Sequence, residues 1–195
     1  MPEAHLQSLQ LRDRNGLRKY LTPEERARFR DCISGLRDPI KELYCYTIFC
    51  TGCRPTEAHR LRLESFDLAE GVLVIESLKK RRRGLYREIP VRLNWMKKAV
   101  NLLSKHHSGH GKKSIWGFSE KTGYRAVKRV MEITGIDGPH ATPRGLRHAF
   151  GVFHAQHKTN PRLIQDWMGH ASLETTLIYL DAQGKEAREA AKIAW

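Results

Sequence analysis

The chain has 195 residues, 40% of them hydrophobic, and carries 35 Lys+Arg against 21 Asp+Glu, for a net charge of +14. That length suits one domain, or one domain and an arm, and so basic a balance points to a polyanionic partner, nucleic acid above all. An anionic membrane fits less well: there is no apolar run of about 18 residues, no long basic amphipathic helix and no lipidation signal, and the opening MPEAHLQSLQLRDR lacks the apolar core of a secretion signal.

Residues 1–17 are polar and unpatterned and read as an arm or the remnant of a linker. A first helix opens in LTPEERARFRDCISG, with Thr22 as cap, Pro23 at the first helical position, Glu25 completing a capping box and Gly35 as the stop. Asp38-Pro39 starts a second helix, PIKELYCYTIFC, apolar on most faces and so central to a core; Thr51-Gly52 breaks it. Cys45, Cys50 and Cys53 fall on this helix and the turn after it, with Cys32 upstream. Cys50 and Cys53 form a CxxC, but without a second ligand pair or a βαβ setting the four read as reduced core cysteines of a cytosolic protein. Pro55 opens a short amphipathic helix, PTEAHRLRL, with Arg54 and Glu57 at its start.

GVLVIESLKK then alternates as a strand, RRRGLY turns at Gly84, and REIPV returns with Pro90 suited to an edge. NWMKKAVNLLSKHH and TGYRAVKRVMEITG have helical spacing, separated by the loop SGHGKKS. His106, His107 and His110 sit at loose metal-ligand spacing but read as solvated loop histidines. PRGLRHAFGVFHAQHK, NPRLIQDWMGH and LETTLIYL read as three more helices, with His154 and His157 on a helix surface and Trp167 in the core. The tail GKEAREAAKIAW is a further helix. The fold class expected is mainly α with a small antiparallel β-sheet.

Residues 140–179 hold PRGLRHAF and WMGHASLETTLIY, in which arginine, histidine and one tyrosine recur at spacings that core packing does not require. Attack of a hydroxyl on a phosphodiester needs a nucleophile, cations around the non-bridging oxygens and a proton donor for the leaving oxygen. Arg54, Arg147, His170 and Tyr179 supply most of that set, and a hairpin lysine can supply the proton; arginine suits the clamp because its planar fork bonds two oxygens at once. The bland alternatives are an ordinary Arg54–Glu57 helix-start ion pair, a packed Tyr179 and a solvated KKRRRGLYR turn.

These residues also carry a resemblance. From about residue 18 onward the chain resembles the catalytic domain of the tyrosine recombinase (phage integrase) family, which is related to type IB topoisomerases. TGCRPTEAHRL looks like the family's first arginine motif, with Arg54 and its acidic companion Glu57; GLRHAF looks like the second, with Arg147; GHASLETTLIY looks like the third, with His170 and Tyr179; VLVIESLKK looks like the strand that presents a lysine. The resemblance implies the tyrosine recombinase catalytic-domain fold. It also implies attack by Tyr179 on a DNA phosphate to form a 3′-phosphotyrosine link and release a 5′-hydroxyl, with no metal and no cofactor. Arg54 and Arg147 stabilise the charge, His170 bonds the same phosphate, and Lys79 is the general acid, with Lys80 as the alternative. The tip cations Lys80, Arg81, Arg82, Arg83 and Arg87 contact DNA. Trp116 lies where some relatives place a further active-site residue.

One position departs from the pattern: Arg144 stands where the family has a histidine, and a permanently charged arginine is a poor base but a sound phosphate clamp. His140, one turn back, is out of register, and His148 reads as a structural hydrogen-bonder. The resemblance further implies a layout of 1–17 as linker remnant, 18–183 as catalytic domain and 184–195 as a helix that docks on a neighbouring protomer, with the family's N-terminal clamp domain absent. The partners implied are double-stranded DNA bearing a recombination site and copies of the chain, a tetramer in the synaptic complex, in the cytoplasm at the bacterial nucleoid. A non-catalytic DNA-binding regulator or decoy, and a topoisomerase, are the alternative readings.

Overall fold

The structure, a computed structural model, describes residues 11–78, 84–108, 114–180 and 192. Helix α1 (Pro23–Asp31) starts as its sequence dictates: Thr22 Oγ1 accepts from the Glu25 amide and Glu25 returns a carboxylate to the Thr22 amide at 2.8 Å. It stops short of Gly35, because a 3₁₀ turn (Ile33–Leu36) tightens the chain before the next helix. In α2 (Pro39–Thr51) Asp38 caps the amides of Ile40 and Lys41, and Leu43, Tyr44, Cys45, Ile48 and Phe49 are buried. A short helix α3 (Pro55–His59) and a 3₁₀ turn (Leu63–Ser65) lead into the sheet.

The sheet is antiparallel in the order β1 (Phe66–Asp67), β2 (Val72–Glu76), β3 (Tyr86–Pro90), with register running from Val72↔Pro90 to Glu76↔Tyr86. β1 is a third strand too short to leave a period in the sequence; Pro90 lies on the edge strand, where its missing N–H leaves no ladder bond unmade. Helices α4 (Leu93–Ser108), α5 (Glu120–Ile133), α6 (Pro143–Gln156), α7 (Pro161–Met168) and α8 (Glu174–Leu180) complete the described part. The chain is mainly helical with a small sheet, as its pattern implies.

Two apolar clusters hold it together. The larger gathers α1 to α5, the sheet, and Leu146 and Ala149 of α6 around Phe29, Tyr44, Ile48, Leu73, Met96 and Met131, and includes Trp116, whose indole N–H donates to the Ala58 carbonyl at 2.8 Å while its ring meets Tyr44 edge-on. Trp116 is therefore a core residue and not part of a site. The smaller cluster holds Phe150, Val152, Ala155, Ile164, Met168 and Tyr179, from α6, α7 and α8. Each large side chain buried this way contributes about 1.5–3 kcal/mol.

In the described part of the segment before residue 18, the chain folds into a turn closed by the Arg12↔Arg18 bridge, and Leu11 packs on the smaller cluster. His154 is half-buried among Phe150, Phe153 and Trp167 instead of lying on the surface, and burial lowers it to about 4. His140 pairs with Glu25, which burial alone would raise but which Arg18 and the Thr22 amide bring down to about 2. The four cysteines are unpaired, with Cys50 and Cys53 pushed up to about 12 and about 11, first by burial. No described helix is long and apolar enough to cross a membrane. The hairpin tip 79–83 and the tail helix, Lys192 apart, lie outside the described residues.

Candidate active site

The site grows from one buried carboxylate. Helix α2 ends at Gly52, two extended residues follow, and Pro55 starts α3, so Arg54 sits at the junction of two helices. Its backbone N–H and its Nη1 both donate to Glu57, each at 2.8 Å. Glu57 is 2% exposed, and a carboxylate buried so deeply is tolerated only with full ionic partnering. The second partner is Arg87, which gives Nη2 to Glu57 Oε2 at 2.6 Å. Burial would raise the Glu57 carboxyl, but Arg87 and Arg54 hold it below its ordinary value and so ionised.

Arg87 thereby leaves the role expected for it. It belongs with the DNA-facing tip cations only if its strand turns it outward, and β3 turns it in: Tyr86 and Glu88 are exposed, Arg87 and Ile89 buried. Its other bonds go to Ser77 Oγ at 3.1 Å and the Trp167 carbonyl at 2.8 Å. It is a buried strut beneath the site.

Arg147, on the inner face of α6, ties two helix ends together. Nη1 donates to the Gly52 carbonyl at 2.6 Å and Nη2 to the Met168 carbonyl. Both acceptors are C-terminal carbonyls, where the helix dipole favours a cation. With Arg87 on Trp167, two guanidiniums pin the last turn of α7. The turn closes through Gly169 at φ 61, where a Cβ would lie 3.1 Å from Arg87, and the next residue is His170. Burial, then Arg54, lowers Arg147 to about 10, so it stays charged at neutral pH. Arg54, Arg87 and Arg147 are three positive charges around the one of Glu57, a surplus of two within the site. Such a surplus suits an anion with several oxygens.

His170 is 8% exposed, and its Nδ1 meets Thr176 Oγ1 at 2.8 Å. Burial first, then Arg147 and Arg54, lower it to about 3, so the ring is neutral. In the tautomer whose Nδ1 accepts from Thr176, Nε2 carries the proton and can donate to an anion. The Tyr179 ring stacks 5.8 Å away, 12° from parallel. Tyr179 itself is 3% exposed, its ring lying against Gly151, where a Cβ would come within 2.9 Å. Its hydroxyl meets His148 Nδ1 at 2.9 Å. Burial raises the phenol, while Arg147, Arg144 and Arg54 act in the opposite direction.

The structure thus brings together Arg54, Glu57, Arg147, His148, His170 and Tyr179, and adds Arg87 and Thr176 in supporting places. Arg144 is exposed on the first turn of α6, near enough to act electrostatically on Tyr179 and His148. Lys79, Lys80, Arg81, Arg82 and Arg83 lie outside the described residues. Among the described residues no group of His, Cys, Asp and Glu is placed to hold a metal. A 460 Å³ cleft lined by Arg26, Phe49, Trp95 and Phe153 contains none of the site residues.

The chain is similar to known proteins in sequence and in fold. A family model described as the phage integrase family matches residues 20–186. Tyrosine recombinase XerA of Pyrococcus furiosus is 30% identical over 186 residues, covering 91% of this chain and 62% of that protein. The crystal structure of XerH recombinase in a post-cleavage complex with a palindromic difH substrate superposes with a TM-score of 0.76 at 24% identity, over 90% of this chain and 53% of that one. The catalytic domain of bacteriophage HP1 integrase gives a TM-score of 0.63 at 18% identity, over 89% of this chain and 93% of that one. The chain spans little more than half the length of XerA and of the XerH structure, and nearly the whole of the isolated HP1 domain.

Proposed function

The chain belongs to the phage integrase family, and from that membership we propose that it is the catalytic part of a site-specific DNA recombinase, cutting and rejoining strands through a phosphotyrosine link on Tyr179. The observation that carries this is the convergence on one tyrosine of two guanidiniums and a neutral histidine, on a chain with a net charge of +14. A scissile phosphate placed between Arg54 and Arg147 receives forked hydrogen bonds that strengthen as charge develops, and Nε2 of His170 donates to the same group. The Tyr179 oxygen attacks phosphorus, the bond to O5′ breaks, and the departing oxygen takes a proton from Lys79, or from Lys80 beside it. The phosphodiester energy stays in the tyrosyl link, so the reaction needs no nucleotide cofactor, and a 5′-hydroxyl from a partner strand reverses it. Lys80, Arg81, Arg82 and Arg83 hold the DNA backbone, and Arg144 clamps a phosphate as a fixed cation. Paired sites are joined in a tetramer, with the tail helix 184–195 docking on a neighbour.

The test is a pool of nicked duplexes of randomised sequence, incubated with the chain at low salt and run on a denaturing gel. The nick lets the short cleaved strand diffuse away and traps the covalent stage. Wild type yields a protein–DNA band, whose strands are sequenced to find the site, and Tyr179→Phe yields none. A band of equal strength from Tyr179→Phe, or no band from wild type, contradicts the reading.

A further inference from the structure

We propose that His148 is the group that takes the proton from Tyr179 when the tyrosine attacks, an assignment that rests on the recombinase reading above. The geometry is direct: His148 Nδ1 lies 2.9 Å from the Tyr179 hydroxyl, with both groups buried, and no other hydrogen-bond partner of that hydroxyl occurs among the described residues. Hydrogen-bond accounting fixes the direction. His148 Nε2 is buried with no partner. If Nδ1 were the donor, both the tyrosine proton and the Nε2 lone pair would be left unmatched; if Nδ1 accepts, only the Nε2 proton is. The second arrangement costs less, and it points the tyrosine proton at a basic nitrogen.

Placement along α6 says why this residue can act. Arg144, Arg147, His148 and Gly151 fall on one helix face at intervals of three and four residues. Gly151 admits the Tyr179 ring, Arg147 faces the phosphate position, and His148 meets the hydroxyl. Arg144, one turn earlier on that face, is permanently charged and cannot accept a proton. The basic nitrogen therefore sits one helical turn further along. The charged and titratable groups around it are Arg144 and Arg147 on its own helix, Lys19 before α1, and Tyr179 and His170 on the last segment. These cations and burial keep the ring neutral, hence open as an acceptor; the phosphate's negative charge, once bound, offsets them and stabilises the imidazolium. In the step, the Tyr179 Oη–P bond forms, the P–O5′ bond breaks, the Oη proton passes to Nδ1, and O5′ is protonated by the hairpin lysine. On rejoining, His148 returns its proton to Oη.

The experiment compares wild type, His148→Asn and His148→Ala in single-turnover adduct formation on the nicked DNA, with melting temperature and DNA binding measured on each. Asparagine keeps an acceptor oxygen close to the Nδ1 position but cannot take a proton. Both variants should cleave about a hundredfold or more slowly at pH 7, approach wild type as pH rises toward tyrosine ionisation, and the alanine variant should be partly rescued by added imidazole. His148→Asn cleaving at the wild-type rate would show that His148 only positions the ring, and overturn the assignment. If both variants unfold, the wild-type profile decides: a flat rate between about pH 6 and 9 supports an internal acceptor, and a tenfold rise per unit contradicts it. Absence of any wild-type adduct defeats the recombinase reading itself, a result distinct from slow variants beside an active wild type.

Discussion

The two halves of the site are built differently. The cation half rests on the larger cluster and on a closed ionic network: Glu57 binds Arg54 and Arg87, and Arg87 and Arg147 bind the ends of α2 and α7. The nucleophile half, Tyr179 on helix α8, rests on the smaller cluster, a histidine and a glycine. Charge that must stabilise a transition state gains from being fixed before substrate arrives. The nucleophile, 3% exposed, is held at its hydroxyl by the His148 bond and at its ring by the contact with Gly151.

The largest break in that comparison comes from removing its keystone. Glu57→Gln leaves Arg54 and Arg87 without their counter-charge; urea unfolding should show a loss of about 3–5 kcal/mol and the adduct should disappear. Acid acts on the other half. Burial, with Arg144 and Arg147, holds His148 near about 3, and burial with Arg147 and Arg54 does the same for His170, against 6.5 when exposed. In the unfolded chain both rings take up protons first, so their stability is complete above pH 6.5 and drains away as pH falls toward 3. At pH 5 the loss is about 2 kcal/mol for each ring. Hydrogen exchange should then find α8 and the inner face of α6 opening before α2 and the sheet. The smallest change is Thr176→Val, which removes the Nδ1 partner of His170 and frees its tautomer. It should slow adduct formation about tenfold while the melting temperature moves little.

What the sequence makes legible of the fold and of the candidate site is local: capping at Thr22 and Asp38, the Arg54–Glu57 start of α3, the arginine of α6 and the His170–Tyr179 spacing each lie within a dozen residues. What was missed depends on long-range placement. Arg87 stands in a run of basic residues, and charge run outweighed strand alternation, although Ile89 two residues on marks the inward face. The His148–Tyr179 bond spans 31 residues and the Arg147–Gly52 bond 95, and no periodicity reports such pairings. Trp116 follows a polar loop, yet its indole reaches back to α3.

The most direct measurement is the chemical identity of the link. Adduct formed on nicked DNA is digested with trypsin and nuclease, and the modified peptide is sequenced by mass spectrometry. A nucleotide joined through its 3′-phosphate to Tyr179, within peptide 163–185, together with a free 5′-hydroxyl on the released strand, is the result expected. A 5′-phosphate link, or attachment to any residue other than Tyr179, contradicts the account.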